Sequence, residues 1–377
     1  MNGLDDVIAA DTVLSDVDGQ AGTLIIRGRS LDELAERSSY ERVLALLWDG
    51  LFDEAPPASS IPTLLGRARS VAFERLGHTD LPRLQRDPVE ALRMLLAQID
   101  DSEGLDTALR LVGAAAVFTA AVLRLRQGLK PIEPDATAPH SADLLRMIHG
   151  MPPTAEQVTA LDRYLVTVSD HGLNASTFAA RVVASTRAGL TSAVIAALSA
   201  LKGPLHGGAP GPVLDYLDGI GKPAIASEWL QEKLSRGERL MGFGHRIYRV
   251  RDPRADSVKG ALQTLIRAGQ VDPQRLQLAE AVEAAALKLL AAKKPDRPLQ
   301  TNVEFYTALL LEALGFPRDA FTCVFAISRT CGWIAHAREQ ILGGRLIRPR
   351  SRYIGPRPQR AAAQVAWPDE RAQAAPV

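Results

Sequence analysis

The chain has 377 residues, 46% of them hydrophobic and 23% charged, enough apolar material for one large or two ordinary cores. Its 44 lysines and arginines nearly cancel 43 acids, and a net charge of +1 provides no bulk field to draw nucleic acid or anionic lipid. The two cysteines, Cys323 and Cys331, lie eight apart in a helical pattern, which excludes a disulfide framework and a thiolate zinc site.

The opening MNGLDDVIAADT carries acids where an export signal needs basic residues before an apolar stretch, so the expectation is a cytoplasmic protein. Around QAGTLIIRG, residues 20–28, a short hairpin is expected as the one sheet. Elsewhere apolar residues recur at spacings of three and four, and period-two alternation is rare. The fold class is therefore all-α, predominantly helical. The run LVGAAAVFTAAVL, 111–123, fenced by Arg110 and Arg124, is too short to span a bilayer and reads as a buried helix. Further helices are predicted over 155–169, 174–202, 278–293, 303–314 and 320–342. Segment 174–202 is rich in Ala, Ser and Thr, which lets neighbouring helices approach closely, and it ends at Gly203-Pro204.

Proline-bearing breaks fall at 131–139, 152–153, 204–212 and 295–298. Gly/Pro punctuation bounds 208–316, which is expected to be a smaller domain inserted into a larger helical one made of 1–207 and 317–356. The tail, 357–377, is Ala, Pro, Gln and charge and is expected to be poorly ordered.

Three of the seven histidines lie in unusual settings: His171 in SDHGLNAST, His206 in GPLHGGAPG and His245 in GFGHRIY. Glycine-rich loops around His206 and His245 suit close approach of backbone to a ligand. Nothing like the i, i+4 spacing of a helical metal motif occurs, and no metal is expected. Glu304, in TNVEFYTALLLEALG, stands just inside a helix capped by Thr301 or Asn302. It reads either as an acid placed favourably at the positive end of a helix dipole or as a general base kept ionised by that dipole. Arg246, Arg249, Arg251 and Arg254 follow His245 within nine residues and, with Arg329 and Arg348, look like a pocket for a small polyanion. Neither a P-loop nor a dinucleotide-binding glycine fingerprint is present.

Taken together, IIRGRSLDELAERSSYERVLALLWDG, DHGLNASTFAARVVAS, LKGPLHGGAPGPVLDYL, GFGHRIYRVRDPRA, TNVEFYTALLLEALGFP, FAISRTCGWIAHAREQ and RLIRPRSRYIGP resemble the citrate synthase family, including its 2-methylcitrate synthase branch. The resemblance covers nearly the whole chain in order, and GFGHRIYRVRDPR is its most specific part. It implies a homodimer of helical subunits, each with its active site in the cleft between a large and a small domain. It also implies condensation of oxaloacetate with acetyl-CoA, followed by hydrolysis of citryl-CoA, with no metal and no permanently bound cofactor; propionyl-CoA is the alternative acyl donor. By match to the family motifs, His206 would hydrogen-bond the thioester oxygen, Glu304 would take the methyl proton, and His245 would polarise the ketone. His171, Arg254 and Arg329 would hold the oxaloacetate carboxylates, with Asn174 and Ser176 in support and Arg348 supplied by the other subunit. Gly242, Phe243 and Gly244 would lie against CoA, with Arg249 near its phosphates. One departure is Glu304, since the family pattern has Asp there; the extra methylene implies a backbone set back to compensate. A non-catalytic ligand-binding homodimer is the reading from another class.

Overall fold

The computed structural model describes residues 7–53, 56–206 and 210–357. A main unit, Met1–Ile347, carries all the regular structure found among the described residues, and a C-terminal unit starts at Arg348. Between 348 and 357 there is neither helix nor strand. The expected tail therefore lies almost wholly outside the described residues.

Three short strands open the main unit: β1 (Ser15–Asp18), β2 (Thr23–Ile26) and β3 (Arg29–Ser30), antiparallel in that order, with Asp18 opposite Thr23. Alternation buries Leu24 and Ile26 and leaves Ile25 outward. The hairpin predicted at 20–28 thus begins earlier and gains a third strand.

Fifteen helices follow among the described residues. The first six are α1 (Leu31–Arg37), α2 (Tyr40–Trp48), α3 (Ile61–Leu76), α4 (Pro88–Leu96), α5 (Leu105–Arg126) and α6 (His140–His149). Then come α7 (Ala155–Val168), α8 (Ala175–Ala184), α9 (Leu190–Leu201), α10 (Pro210–Ile220) and α11 (Ala226–Ser235). The last four are α12 (Pro253–Arg267), α13 (Pro273–Lys293), α14 (Val303–Ala313) and α15 (Phe321–Gly343). Sequence signals explain many of their starts: Thr154 and Gln157 make a reciprocal capping box at α7, and Asn174, Asp252 and Asn302 cap α8, α12 and α14.

At the centre lie α5 and α15. The first is longer than the apolar run 111–123 because Leu105 and Arg126 extend it on either side. By length and hydropathy it could cross a membrane, yet 83% of its most apolar window is buried inside the protein. The second, 23 residues long, packs against α5, α8 and α9 and buries Trp333, Arg329 and His336.

Segment 174–202 is not one helix. It turns at 185–189, where Arg187 and Gly189 take φ of 65° and 103°. Asp101, from a distant loop, accepts from Thr191 N at 2.8 Å and Ser192 N at 2.9 Å, so an imported carboxylate starts α9. A Cβ at Gly189 would collide with that carboxylate.

Candidate active site

Six segments of the main unit supply the polar side chains. His171 sits in the loop between α7 and α8, which the β1 strand supports: Ser15 Oγ accepts from Gly172 N at 3.0 Å and donates to Asp170. His206 follows α9. His245 and Tyr248 lie in the loop before α12, Arg254 at the start of α12, Glu304 at the start of α14, and Arg329 in α15. That convergence is tertiary; only the caps and glycines that shape each piece are local.

In the 241–252 loop the backbone sets an imidazole tautomer. The N–H groups of Ile247 and Tyr248 both donate to His245 Nδ1, at 3.1 and 3.2 Å. Nδ1 therefore holds a lone pair and the neutral ring carries its proton on Nε2. That Nε2 lies 3.3 Å from Arg254 Nη2; two donors face each other there, which is a close approach rather than a bond. His206 has the opposite arrangement: Ser176 N donates to its Nε2 at 3.3 Å, which leaves the proton on Nδ1. Ser176 Oγ stands 2.9 Å from the same nitrogen, receives Trp333 Nε1–H at 3.1 Å, and reaches Asn174 Oδ1 at 2.8 Å. Asn174 also receives Thr177 N–H as the α8 cap, so it steadies His206 through Ser176.

Charge is concentrated on two buried guanidiniums. Asp252 grips Arg254 with both oxygens, Oδ1 at 3.0 Å from Nε and Oδ2 at 2.8 Å from Nη2. Arg329 donates Nε–H to the Val168 carbonyl at 2.7 Å, but its Nη2 is buried with no hydrogen-bond partner among the described residues. Burial, with Asp170 opposing and Arg254 assisting, lowers Arg329 to about 10. A buried donor left unmatched is costly, and an anion is its natural complement. Asp170 carries the counter-charge: burial opposes its ionisation, yet His336, Arg329 and Ser15 hold it down to about 2.

All three imidazoles are kept neutral. Burial lowers His206 to about 4, with Arg329 adding to the effect. It lowers His245 to about 4 as well, with Arg254 assisting and Asp252 opposing. His171 falls well below its ordinary value through burial and through Arg254, His245 and Arg329. Neutral rings beside arginines can each give one directed N–H without adding to the positive charge.

Glu304 departs from the dipole expectation. Asn302, rather than Thr301, caps α14, accepting from Glu304 N at 3.0 Å. Burial nevertheless pushes the Glu304 carboxyl up to about 7; Arg254 and Arg329 oppose the rise and Asp252 adds to it. The residue thus titrates near neutrality within the field of both arginines.

Other sequence candidates fall differently. Gly242 and Gly244 have φ of 86° and 83°, and a Cβ would meet Phe305 and Leu299, so both have packing reasons of their own. Phe243 is buried against Phe305 and bridges to Thr301. Arg249 is exposed, and its backbone N–H meets Gly19 O at 2.8 Å. Arg251 is committed to Glu283 and Asp256, at 2.6 and 2.7 Å, and is not free for a ligand. Arg348 belongs to the second unit and is exposed. Sequence reasoning misses two residues. Asp252 is visible there only as the acid before Pro253; it grips Arg254 and also receives Val303 N–H at 3.1 Å, tying α12 to α14. Tyr248 stands out only as a lone aromatic among arginines. A cavity of about 690 Å³ bounded by Arg37, Arg42, Trp48 and Phe52 contains none of these residues. Converging chemistry, rather than void size, therefore picks out the site.

This helical fold, with neutral imidazoles, buried arginines and one carboxylate gathered together, suits an enzyme that sets a base beside an anionic substrate. The family model for the citrate synthase C-terminal domain matches residues 3–350. The chain is 36% identical over 368 residues to a citrate synthase of Haloferax volcanii, covering 94% of this chain and 95% of that protein. It is also 36% identical over 368 residues to a 2-methylcitrate synthase of Mycobacterium tuberculosis, covering 94% and 90%. A citrate synthase of Thermoplasma acidophilum, solved as a ternary complex with carboxymethyl coenzyme A and oxaloacetate, superposes with a TM-score of 0.82 at 28% identity, covering 96% and 97%. The chain belongs to the citrate synthase family.

Proposed function

We propose that the protein condenses acetyl-CoA with oxaloacetate and hydrolyses the resulting citryl-CoA to citrate and CoA. Glu304 removes a proton from the acetyl methyl while His206 Nδ1–H donates to the thioester oxygen. A preorganised donor at such an oxygen contributes about 2.7–4 kcal/mol. The enolate carbon then bonds to the ketone carbon of oxaloacetate, and His245 Nε2–H protonates the forming alkoxide. Water finally cleaves the thioester and CoA leaves as the thiol. Arg254, Arg329 and His171 hold the oxaloacetate carboxylates, Asn174 acts through Ser176, and Arg348 reaches in from a second subunit of a homodimer. Gly242, Phe243, Gly244 and Arg249 border the CoA. Segment 208–316 acts as a small domain that closes on the rest and excludes water. The cellular setting is the cytoplasm.

One observation carries this reading: Arg254 and Arg329 are both buried, both act on Glu304, and one has an unmatched donor. That arrangement supports an anion site beside a base. Thiol release from acetyl-CoA with oxaloacetate tests it, and is expected to depend on both substrates. Release without oxaloacetate would indicate a thioesterase, and oxaloacetate binding without release would indicate a binding protein. The 2-methylcitrate synthase relative, as similar as the citrate synthase, supports propionyl-CoA as a second donor. One methylene in an acyl pocket changes transition-state binding by only about 1–3 kcal/mol. A kcat/KM for propionyl-CoA above that for acetyl-CoA reverses the preference.

A further inference from the structure

Tyr248 touches three of the side chains assigned to oxaloacetate. Its hydroxyl lies 3.1 Å from His171 Nε2. Its backbone N–H is one of the two donors on His245 Nδ1, and its ring centroid is 4.8 Å from that imidazole. Arg254 Cζ sits 5.8 Å from the centre of the same ring, and His171 and His245 meet edge to face at 5.4 Å. Only 2% of Tyr248 is exposed, so its hydroxyl is a buried polar group whose one hydrogen-bond partner among the described residues is His171.

We propose that Tyr248 is a positioning residue for oxaloacetate recognition, acting through His171. The second torsion of a histidine is broad, so ring orientation depends on what its nitrogens meet. A neutral imidazole has one proton and one lone pair, and a hydroxyl, which can meet either, fixes the tilt of the ring when it is held at Nε2. His171 comes from the loop before α8 and Tyr248 from the loop before α12, so the hydroxyl also joins two separate parts of the chain at the point where a dicarboxylate is to be held. Tyr248 itself does no chemistry in this scheme; its phenol is raised well above its ordinary value, by burial first, and stays protonated.

The inference rests on the proposed oxaloacetate site, and the test separates the two. Oxaloacetate binding is measured by calorimetry on the wild type, Tyr248→Phe, His171→Asn and the double variant, with melting curves for each. Tyr248→Phe is expected to weaken binding about tenfold, and to raise the KM for oxaloacetate alike while kcat and the KM for acetyl-CoA stay within about threefold. In the His171→Asn background the same change is expected to add less than about twofold, because the residue it acts through is gone. An undiminished tenfold loss in that background, or no loss in the single variant, overturns the proposal. Should Tyr248→Phe fail to fold, Tyr248→Met is measured in its place, and failure of both to fold overturns it in favour of a structural role. A wild-type protein that binds no oxaloacetate overturns the proposed function instead, whatever the variants do.

Discussion

A carboxylate at the second position of a helix is ordinarily favoured by the dipole by about 0.3–1 kcal/mol. At Glu304 burial wins, and the group moves up to about 7. A base works only when deprotonated, so kcat/KM for acetyl-CoA should rise with pH through about 7. Below that point it should fall about tenfold for each unit of pH, approaching the slope of a single ionisation. A profile flat from about pH 5 to 8 would mean that the Glu304 carboxyl titrates below that range, with Arg254 and Arg329 outweighing burial. Glu304→Gln keeps the shape and the hydrogen-bonding capacity but cannot accept the proton. Turnover should drop by about 10²–10⁴ while the dissociation constant for oxaloacetate changes less than about threefold by calorimetry. Glu304→Asp withdraws the carboxylate by about a bond length, and misplacement of about 1 Å costs on the order of 10² in rate. If the backbone is set back to suit Glu, the Asp variant is the slower enzyme. Arg254→Leu acts on the other substrate: it removes an anion-binding fork and strands Asp252, so the KM for oxaloacetate rises first.

Elements whose boundaries are set by their own residues are legible from the sequence. α7, α14 and α15 fall within a residue or two of expectation, because Thr154, Asn302 and long apolar periodicity act locally. The division between α8 and α9 is not legible, since the cap on α9 is Asp101, 90 positions from Thr191. The histidines and Glu304 stand out through their glycine-rich or capped settings, whereas Asp252 and Tyr248 act through contacts that no spacing reveals. The same holds for the hairpin. Its turn is pressed on the loop that carries His245: Arg249 N donates to Gly19 O at 2.8 Å, and a methyl on Gly19 would overlap the Ile247 carbonyl. Gly19→Ala should therefore displace residues 247–249 and cost about 1–3 kcal/mol of stability. Because Ile247 and Tyr248 set the His245 tautomer, kcat should fall too. An unchanged kcat alongside a lowered melting temperature would show that the loop holds its shape without the hairpin.

Across the whole molecule, a second buried polar cluster joins α2, α3, α6 and α7 through residues outside the histidine loops. Asp162 of α7 accepts from Tyr40 N at 3.3 Å and Ser141 Oγ at 3.0 Å. Glu41 accepts from His140 N at 2.7 Å, and Arg69 pairs with Asp143 at 2.7 Å. Burial, with Glu41 adding to it, raises Asp162 to about 7, against an ordinary unfolded value of about 3.9. Below both values the carboxyl is protonated in either state and contributes nothing to pH dependence. As pH rises from about 4 to 7 the unfolded chain loses this proton while the folded one keeps it, so stability falls; above about 7 the loss is complete. Asp162→Asn removes the titration but retains an acceptor for Tyr40 and Ser141. Its stability relative to wild type in urea unfolding should therefore improve by about 2–3 kcal/mol between about pH 5 and pH 8, because each tenfold difference in proton affinity between the folded and unfolded states is worth about 1.4 kcal/mol. An offset between the two proteins that stays constant over that range would mean that Asp162 is already ionised in the folded state at its acid end. The hydrogen bonds from Tyr40 and Ser141 would then outweigh burial and Glu41, reversing the balance that sets this cluster.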